Sequence, residues 1–188
     1  MSKNKLPEWM DRLDLIIVQW LARYSLPFLR IGMGIVFLWF GALKFFPGLS
    51  PATDLAVRTI DVLTFGLIPG NISLILLATL ETAIGAGFLT GRYMRLTLAL
   101  LVFQMAGTLT PLTLFPREAF MVFPYAPTLE GQYIIKNLVL IGAGLVIGST
   151  VRGGQIVAEP QKLPRQQSRL VPLPVKVDRI QRHRPVGR

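Results

Sequence analysis

Four apolar stretches, at 28–46, 71–90, 96–115 and 133–150, decide what this 188-residue chain can fold into. Each has about the 17–25 residues that a helix needs to cross a hydrocarbon core of about 30 Å. Lipid offers backbone amides no hydrogen bonds, so an isolated apolar segment that spans it must be helical. The basic residues then set the orientation. Of the twenty Lys/Arg, only Lys44, Arg58, Arg117 and Lys136 fall on one side of the spans or at its edge. Positive residues concentrate on the cytoplasmic side of multi-pass proteins, so both termini are expected there. The expected fold class is all-α: a four-transmembrane-helix bundle, N-in and C-in, in a bacterial cytoplasmic (inner) membrane.

Outside the spans, composition divides the chain into a leading helix at 1–27, the membrane domain at 28–150 and a tail at 151–188. In the leading segment Leu6, Trp9, Met10, Leu13, Ile16, Ile17, Trp20, Leu21 and Tyr24 recur at helical spacing, opposite Glu8, Asp11, Arg12, Gln19 and Arg23. This pattern predicts an amphipathic helix on the cytoplasmic face, with its two Trp at the headgroup boundary. Acids at Glu8, Asp11 and Asp14, and the lack of a long apolar core there, argue against a cleaved signal. The tail holds nine Lys/Arg against Glu159 and Asp178, with Pro160, Pro164, Pro172, Pro174 and Pro185 among them. Such a segment forms no core and is expected to be extended. Its charge suits anionic lipid or a protein partner, not nucleic acid.

Between spans one and two, Leu55, Ala56, Ile60 and Leu63 share one face of a short helix expected to cap the outer mouth. The loop 116–132, rich in Pro and aromatics, reads as a lid or an interface strip. Within the spans, glycine spacing predicts where helices meet. Arg30, Gly34, Phe37, Gly41 and Lys44 form one stripe of span one, about 21 Å long at about 1.5 Å per residue. Gly85 in span two, and Gly144 and Gly148 in span four, are further packing positions that allow close backbone approach.

Glu81 is the most expensive residue in the chain. It lies near the middle of span two, where an acid costs about 2.5–3.5 kcal/mol to insert. It is expected to point into a helix contact, at nearly the depth of Gln104 in span three. Lys44, Glu81, Gln104, Thr108, Lys136 and Asn137 together form the candidate ligand-binding set. Three readings of it stand: a protonated, structurally satisfied Glu81 with both lysines reaching outward; a polar cavity open to the outer leaflet that takes a quinone headgroup, a lipid or an anion; and proton transfer through Glu81, the candidate catalytic residue.

The chain has no cysteine and a single histidine, His183, in the tail. Disulfide chemistry, Cys-ligated zinc and iron–sulfur clusters are excluded for this chain by itself. A bis-His haem inside the bundle is excluded too, and no metal site is expected. The composition therefore points away from catalysis by the chain alone. Redox work here needs a centre from a partner or from a diffusible quinone.

The runs Leu29-Arg30-Ile31-Gly32 and Gly41-Ala42-Leu43-Lys44-Phe45, then Glu81-Thr82-Ala83-Ile84-Gly85 and Gly91-Arg92, resemble the first- and second-span signatures of the DoxX-like family of integral membrane proteins (DoxX/DoxD). The segment from Pro127 to Leu138 resembles its YkgB-type branch. The resemblance covers about 28–150 and implies a four-helix membrane bundle. Some members resemble the small subunit of a thiosulfate:quinone oxidoreductase, and others are associated with oxidative stress or membrane oxidoreductase complexes. The resemblance thus implies an accessory subunit beside a redox or respiratory complex, with quinone or lipid in the outer-leaflet cavity. Two alternatives remain: a quinone-linked oxidoreductase subunit using Glu81 for proton exchange, and a purely structural scaffold of a large assembly. The expected partners are membrane lipids and other membrane subunits, held through the leading helix and the tail.

The charge asymmetry generates a direct test of topology. Reporters fused after residue 154, or between residues 91 and 95, are expected to be active only as cytoplasmic fusions. A reporter inserted at 116–132 is expected to be active only on the opposite side.

Overall fold

The computed structural model describes residues 7–46, 48–50 and 53–154. The expected extended tail beyond Gly154 lies outside the described residues, as do Pro47 and Pro51 of the first outer connection. The elements are α1 (Glu8–Leu43), α2 (Thr53–Leu63), α3 (Gly70–Thr90), α4 (Met94–Leu109), α5 (Pro111–Leu114), α6 (Pro116–Ala119), β1 (Phe120–Val122), β2 (Ala126–Pro127) and α7 (Leu129–Thr150). Four stretches are long and apolar enough to cross a membrane: Trp9–Leu43, Gly70–Thr90, Met94–Leu114 and Leu129–Thr150.

Local chemistry explains most of the boundaries. α3 starts after Pro69 and stops at Gly91, whose φ of 68° is left-handed and whose N–H reaches the Gly87 carbonyl at 3.0 Å. A glycine in that conformation is a common helix terminator, because it carries no Cβ to clash. α7 is capped by Thr128, whose hydroxyl accepts from the Gly131 N–H at 3.1 Å and donates to the Glu118 carbonyl at 2.6 Å. One hydroxyl thus starts α7 and ties it to α6. Between α6 and α7, β1 and β2 pair antiparallel, with Phe120 opposite Pro127 and Val122 opposite Ala126.

α1 packs most extensively on α3, α4 bridges α3 and α7, and α7 returns to α1, which closes a four-helix ring. Its core is Met33, Phe37, Ile84, Phe88, Leu101, Met105, Ala143 and Ile147, with the Phe37 and Phe88 rings 6.5 Å apart. The α3–α4 turn and the end of α7 lie at one end of the bundle, the turn end. α2, α5, α6 and the hairpin lie at the other, the loop end.

Two boundaries differ from the sequence expectation. The amphipathic segment and span one are not separate elements: α1 runs unbroken for 36 residues through Pro27. Proline removes the N–H that would have bonded the Arg23 carbonyl, but helix-forming residues flank it on both sides and no glycine offers an exit. α1 is therefore about 54 Å long against about 32 Å for α3, and all its described side chains before Leu26 are exposed. The expected third span matches one apolar stretch, Met94–Leu114, within which α4 stops at Leu109 and Pro111 restarts the chain as α5. α7 begins at Leu129 and not at Tyr133, because Thr128 with Glu130 is a capping sequence.

The Arg30–Lys44 stripe does face inward. Gly34, Phe37 and Gly41 are buried along it. A Cβ on Gly41 would lie 2.7 Å from the Thr82 backbone nitrogen, and one on Gly85 would lie 2.7 Å from the Leu38 Cα. Each helix offers a glycine to the other's backbone, so α1 and α3 meet closely from both sides. On the far side, Gly144 receives the Leu101 side chain and Gly148 lies near Leu98, which seats α7 on α4.

Backbone cannot yield as a flexible side chain can. Gly85→Ala is therefore expected to destabilise the bundle by about 1–3 kcal/mol through overpacking. Gly142→Ala, where nothing lies within 4 Å of the new Cβ, is expected to be neutral or mildly stabilising. Thermal unfolding of both variants in detergent checks the contrast.

Candidate functional site

Glu81 sits near the middle of α3, on a face that meets both α1 and α4, about 16 Å from the Gly70 end of its helix. The residue is 7% exposed. Lys44 follows directly on the last turn of α1, at the loop end. Because α1 and α3 are antiparallel and Gly41 lets them approach, the Lys44 side chain reaches back along the contact to Glu81. Lys44 Nζ lies 2.6 Å from Glu81 Oε2 and 3.3 Å from the Phe40 carbonyl oxygen. From α4, Gln104 Nε2 donates to Glu81 Oε1 at 3.0 Å. Both carboxylate oxygens are thus engaged, one by a cation and one by an amide.

This arrangement explains how an acid is tolerated in an apolar helix. The ion pair cancels its charge locally, and the amide satisfies the second oxygen, as a buried pair requires. It also removes one sequence reading: Lys44 does not reach outward away from Glu81. The amide assignment follows the chemistry, because only the NH2 side of Gln104 can donate to a carboxylate. That leaves Gln104 Oε1 pointing elsewhere. It is buried and has no hydrogen-bond partner, as is the Thr82 hydroxyl. Unpartnered buried polar atoms are uncommon and mark places where something else can bind.

The remaining candidates do not converge on this point. The Thr108 hydroxyl donates to the Gln104 backbone carbonyl at 2.9 Å, one turn back on α4. Asn137 is half-buried and joins none of the hydrogen bonds to Glu81. Lys136 is exposed, with its ammonium 5.5 Å from the centre of the Tyr133 ring, a cation–π contact. Its absence from the cluster is a correction with a simple cause. α7 buries Gly131, Ile134, Ala143, Gly144 and Ile147, and Lys136 lies off those positions. The described contacts join Lys44, Glu81 and Gln104 across three helices as a triad and leave Thr108, Lys136 and Asn137 outside it.

A second polar link closes the loop end. Arg58 of α2 holds Glu118 of α6 in a two-pronged pair, with Nη1 2.8 Å from Oε1 and Nη2 on Oε2. The guanidinium also lies 5.4 Å from the Phe115 ring centre. The Glu118 carboxylate keeps the Arg58 pKa above its ordinary value. Both side chains are exposed, so this link orients α2 more than it stabilises the fold.

Two clefts are described, and neither is lined by Lys44, Glu81 or Gln104. One, about 690 Å³, opens at the turn end between Arg30, the α3–α4 turn and the end of α7. The other, about 340 Å³, lies beside Arg117, Phe120 and Phe123 at the loop end. Sequence reasoning placed Arg30 on the inward stripe but did not join it to Tyr93, Arg95 and Ile147, because no local pattern relates residues so far apart in the chain.

The fold and the triad define a class: a multi-pass membrane protein built as a helical bundle around a buried ion pair. Residues 25–114 match the family model described as DoxX, so this stretch of the chain is DoxX-like. The matched stretch contains Lys44, Glu81 and Gln104. It ends before the hairpin and α7, so the 127–138 likeness lies beyond it. No curated protein and no solved structure matches the chain.

The triad makes a quantitative prediction. Lys44→Met leaves Glu81 buried without its cation and is expected to cost about 3–5 kcal/mol of stability. Lys44→Met combined with Glu81→Gln is expected to recover most of that loss. A double-mutant cycle by denaturant unfolding in detergent measures the coupling; additive losses would show that the two side chains are energetically independent.

Proposed function

We propose that this chain is an accessory subunit of a redox or respiratory complex in the bacterial cytoplasmic membrane, and that its triad holds a quinone headgroup. The observation that carries the reading is the buried, unpartnered Gln104 Oε1 beside an ion pair. A quinol hydroxyl is the donor that this oxygen lacks. The remaining N–H of the Lys44 ammonium group suits a quinone carbonyl. Glu81 is the one acid of the triad, and is the group through which a proton taken up or released by the quinone would pass. With no cysteine and its single histidine at 183, the chain depends on a partner to supply or accept the electrons. The resemblance to a family associated with membrane oxidoreductases supports the same reading.

A second reading is favoured by a separate observation. The Lys44–Glu81 pair and the α1–α3 glycines make a self-contained contact, which suits a scaffold subunit whose polar centre fixes helix register. The two readings part in one experiment. The chain is purified from its native membrane in mild detergent, run on a native gel, and the band is extracted for quinone. A stoichiometric quinone in a larger assembly, lost in Gln104→Leu while the assembly persists, is the expected result. An intact assembly without quinone would leave the scaffold reading. A chain that migrates alone without quinone would sink both.

A further inference from the structure

We propose that the turn-end cleft is a binding site for one anionic phospholipid, with its phosphate on Arg30 and Arg95 and its chains along α7. This site is separate from the triad and does not depend on the quinone reading. The cleft, about 690 Å³, is lined by Leu26, Arg30, Tyr93, Arg95, Ile147 and Val151 among others, with no acidic residue in the lining. That volume falls within the range of small-molecule sites, about 300–1,000 Å³.

Three features set its chemistry. First, Arg30 is half-buried, yet none of the described hydrogen bonds, ion pairs or cation–π contacts includes it. Its guanidinium lies against Gly91, at a place where any Cβ would collide with Nη1. The left-handed glycine thus leaves room for the arginine head while ending α3. A half-buried guanidinium without an anion loses part of its hydration without compensation, and a phosphate matches its fork geometry. Second, α4 starts at the cleft, at Met94, with no side-chain cap. Its first amides are unspent donors at the positive end of a helix. They add to the two arginines and point to the same ligand charge. Third, the rest of the wall is apolar: Leu26 on α1, and Ile147 and Val151 at the end of α7. A free phosphate has no use for such a wall, whereas an acyl chain does.

Charge also selects among occupants. The tail that follows Gly154 is strongly basic, with eight Lys/Arg against Glu159 and Asp178, so its net charge does not complement Arg30 and Arg95. A second copy would bring the same basic end. The occupant that complements both the cations and the apolar wall is a lipid of the adjacent leaflet.

The test uses the full chain in detergent, titrated with phosphatidylglycerol or phosphatidylcholine and read by native mass spectrometry. Each arginine near a membrane surface favours anionic lipid by about fivefold. The expected preference for phosphatidylglycerol is therefore about 25-fold, and it falls to the phosphatidylcholine level in R30Q/R95Q. R12Q/R92Q removes equal charge from residues outside the cleft lining and is expected to keep the preference. Because Arg95 is exposed, R95Q alone is expected to fold and to lose about fivefold, which covers the case of a misfolded double variant. Equal binding of the two lipids would overturn the proposal. So would an equal loss in R12Q/R92Q, which would mean diffuse surface charge. Displacement of the lipid by excess inorganic phosphate would overturn it in favour of a small-anion site.

Discussion

A carboxylate in the middle of an apolar helix leaves few ways for the other helices to meet it. Glu81 needs a cation and a donor, and both must come from neighbours, because α3 itself carries no Lys or Arg. Lys44 can serve only if α1 lies antiparallel to α3 at close range, and Gly41 and Gly85 permit that approach. Gln104 can serve only if α4 packs on the same face of α3. One acid thus fixes the register of three helices, while α7 is placed by apolar contacts with Leu98 and Leu101 through its glycines. The stabilisation gained by the pair is modest beside the cost of breaking it. Its larger effect is to disfavour every register in which Glu81 would be left without partners.

Much of this was legible in the sequence because helix periodicity converts residue number into face and depth. Counting turns puts Gln104 near Glu81, and puts Gly34, Phe37 and Gly41 on one stripe. Where counting depends on a boundary, it is less secure. Lys136 was grouped with the site on depth alone; the burial of α7 is set by Gly131, Ile134 and Ala143, which seat it against α6 and α4. The unbroken α1 was hidden by the change from an amphipathic to an apolar pattern at 27/28; Pro27, at that boundary, removes only one hydrogen bond from a long helix. The turn-end cleft was not legible at all, because it is made by residues on α1, α4 and α7 that no spacing rule connects.

The two ends of the bundle have different characters. At the loop end, polar groups are paired: Lys44 with Glu81, Arg58 with Glu118, Thr128 with the α6 backbone. At the turn end, arginines face a cleft without acids. The ion pairs of the described residues thus lie toward the loop end, and the larger acid-free cleft lies at the turn end. The DoxX match covers the first three membrane helices, and so includes both the triad and the arginines of α1 and α4.

Pro27 stands at the boundary between two regimes of α1. Beyond it, Leu29, Met33 and Phe37 join the core; before Leu26, the described side chains are exposed along about 27 Å. The missing hydrogen bond therefore lies where a rod leaves its socket. Rotation of the arm by about 10° at that point would carry Trp9 through about 5 Å, by the length of the helix alone. The bond that must give is already absent, and the contacts that hold Glu81 lie more than two helical turns farther along. The fold thus joins an exposed outrigger to a packed frame, and the gap in the hydrogen-bond ladder lies between the two, away from the ion pair.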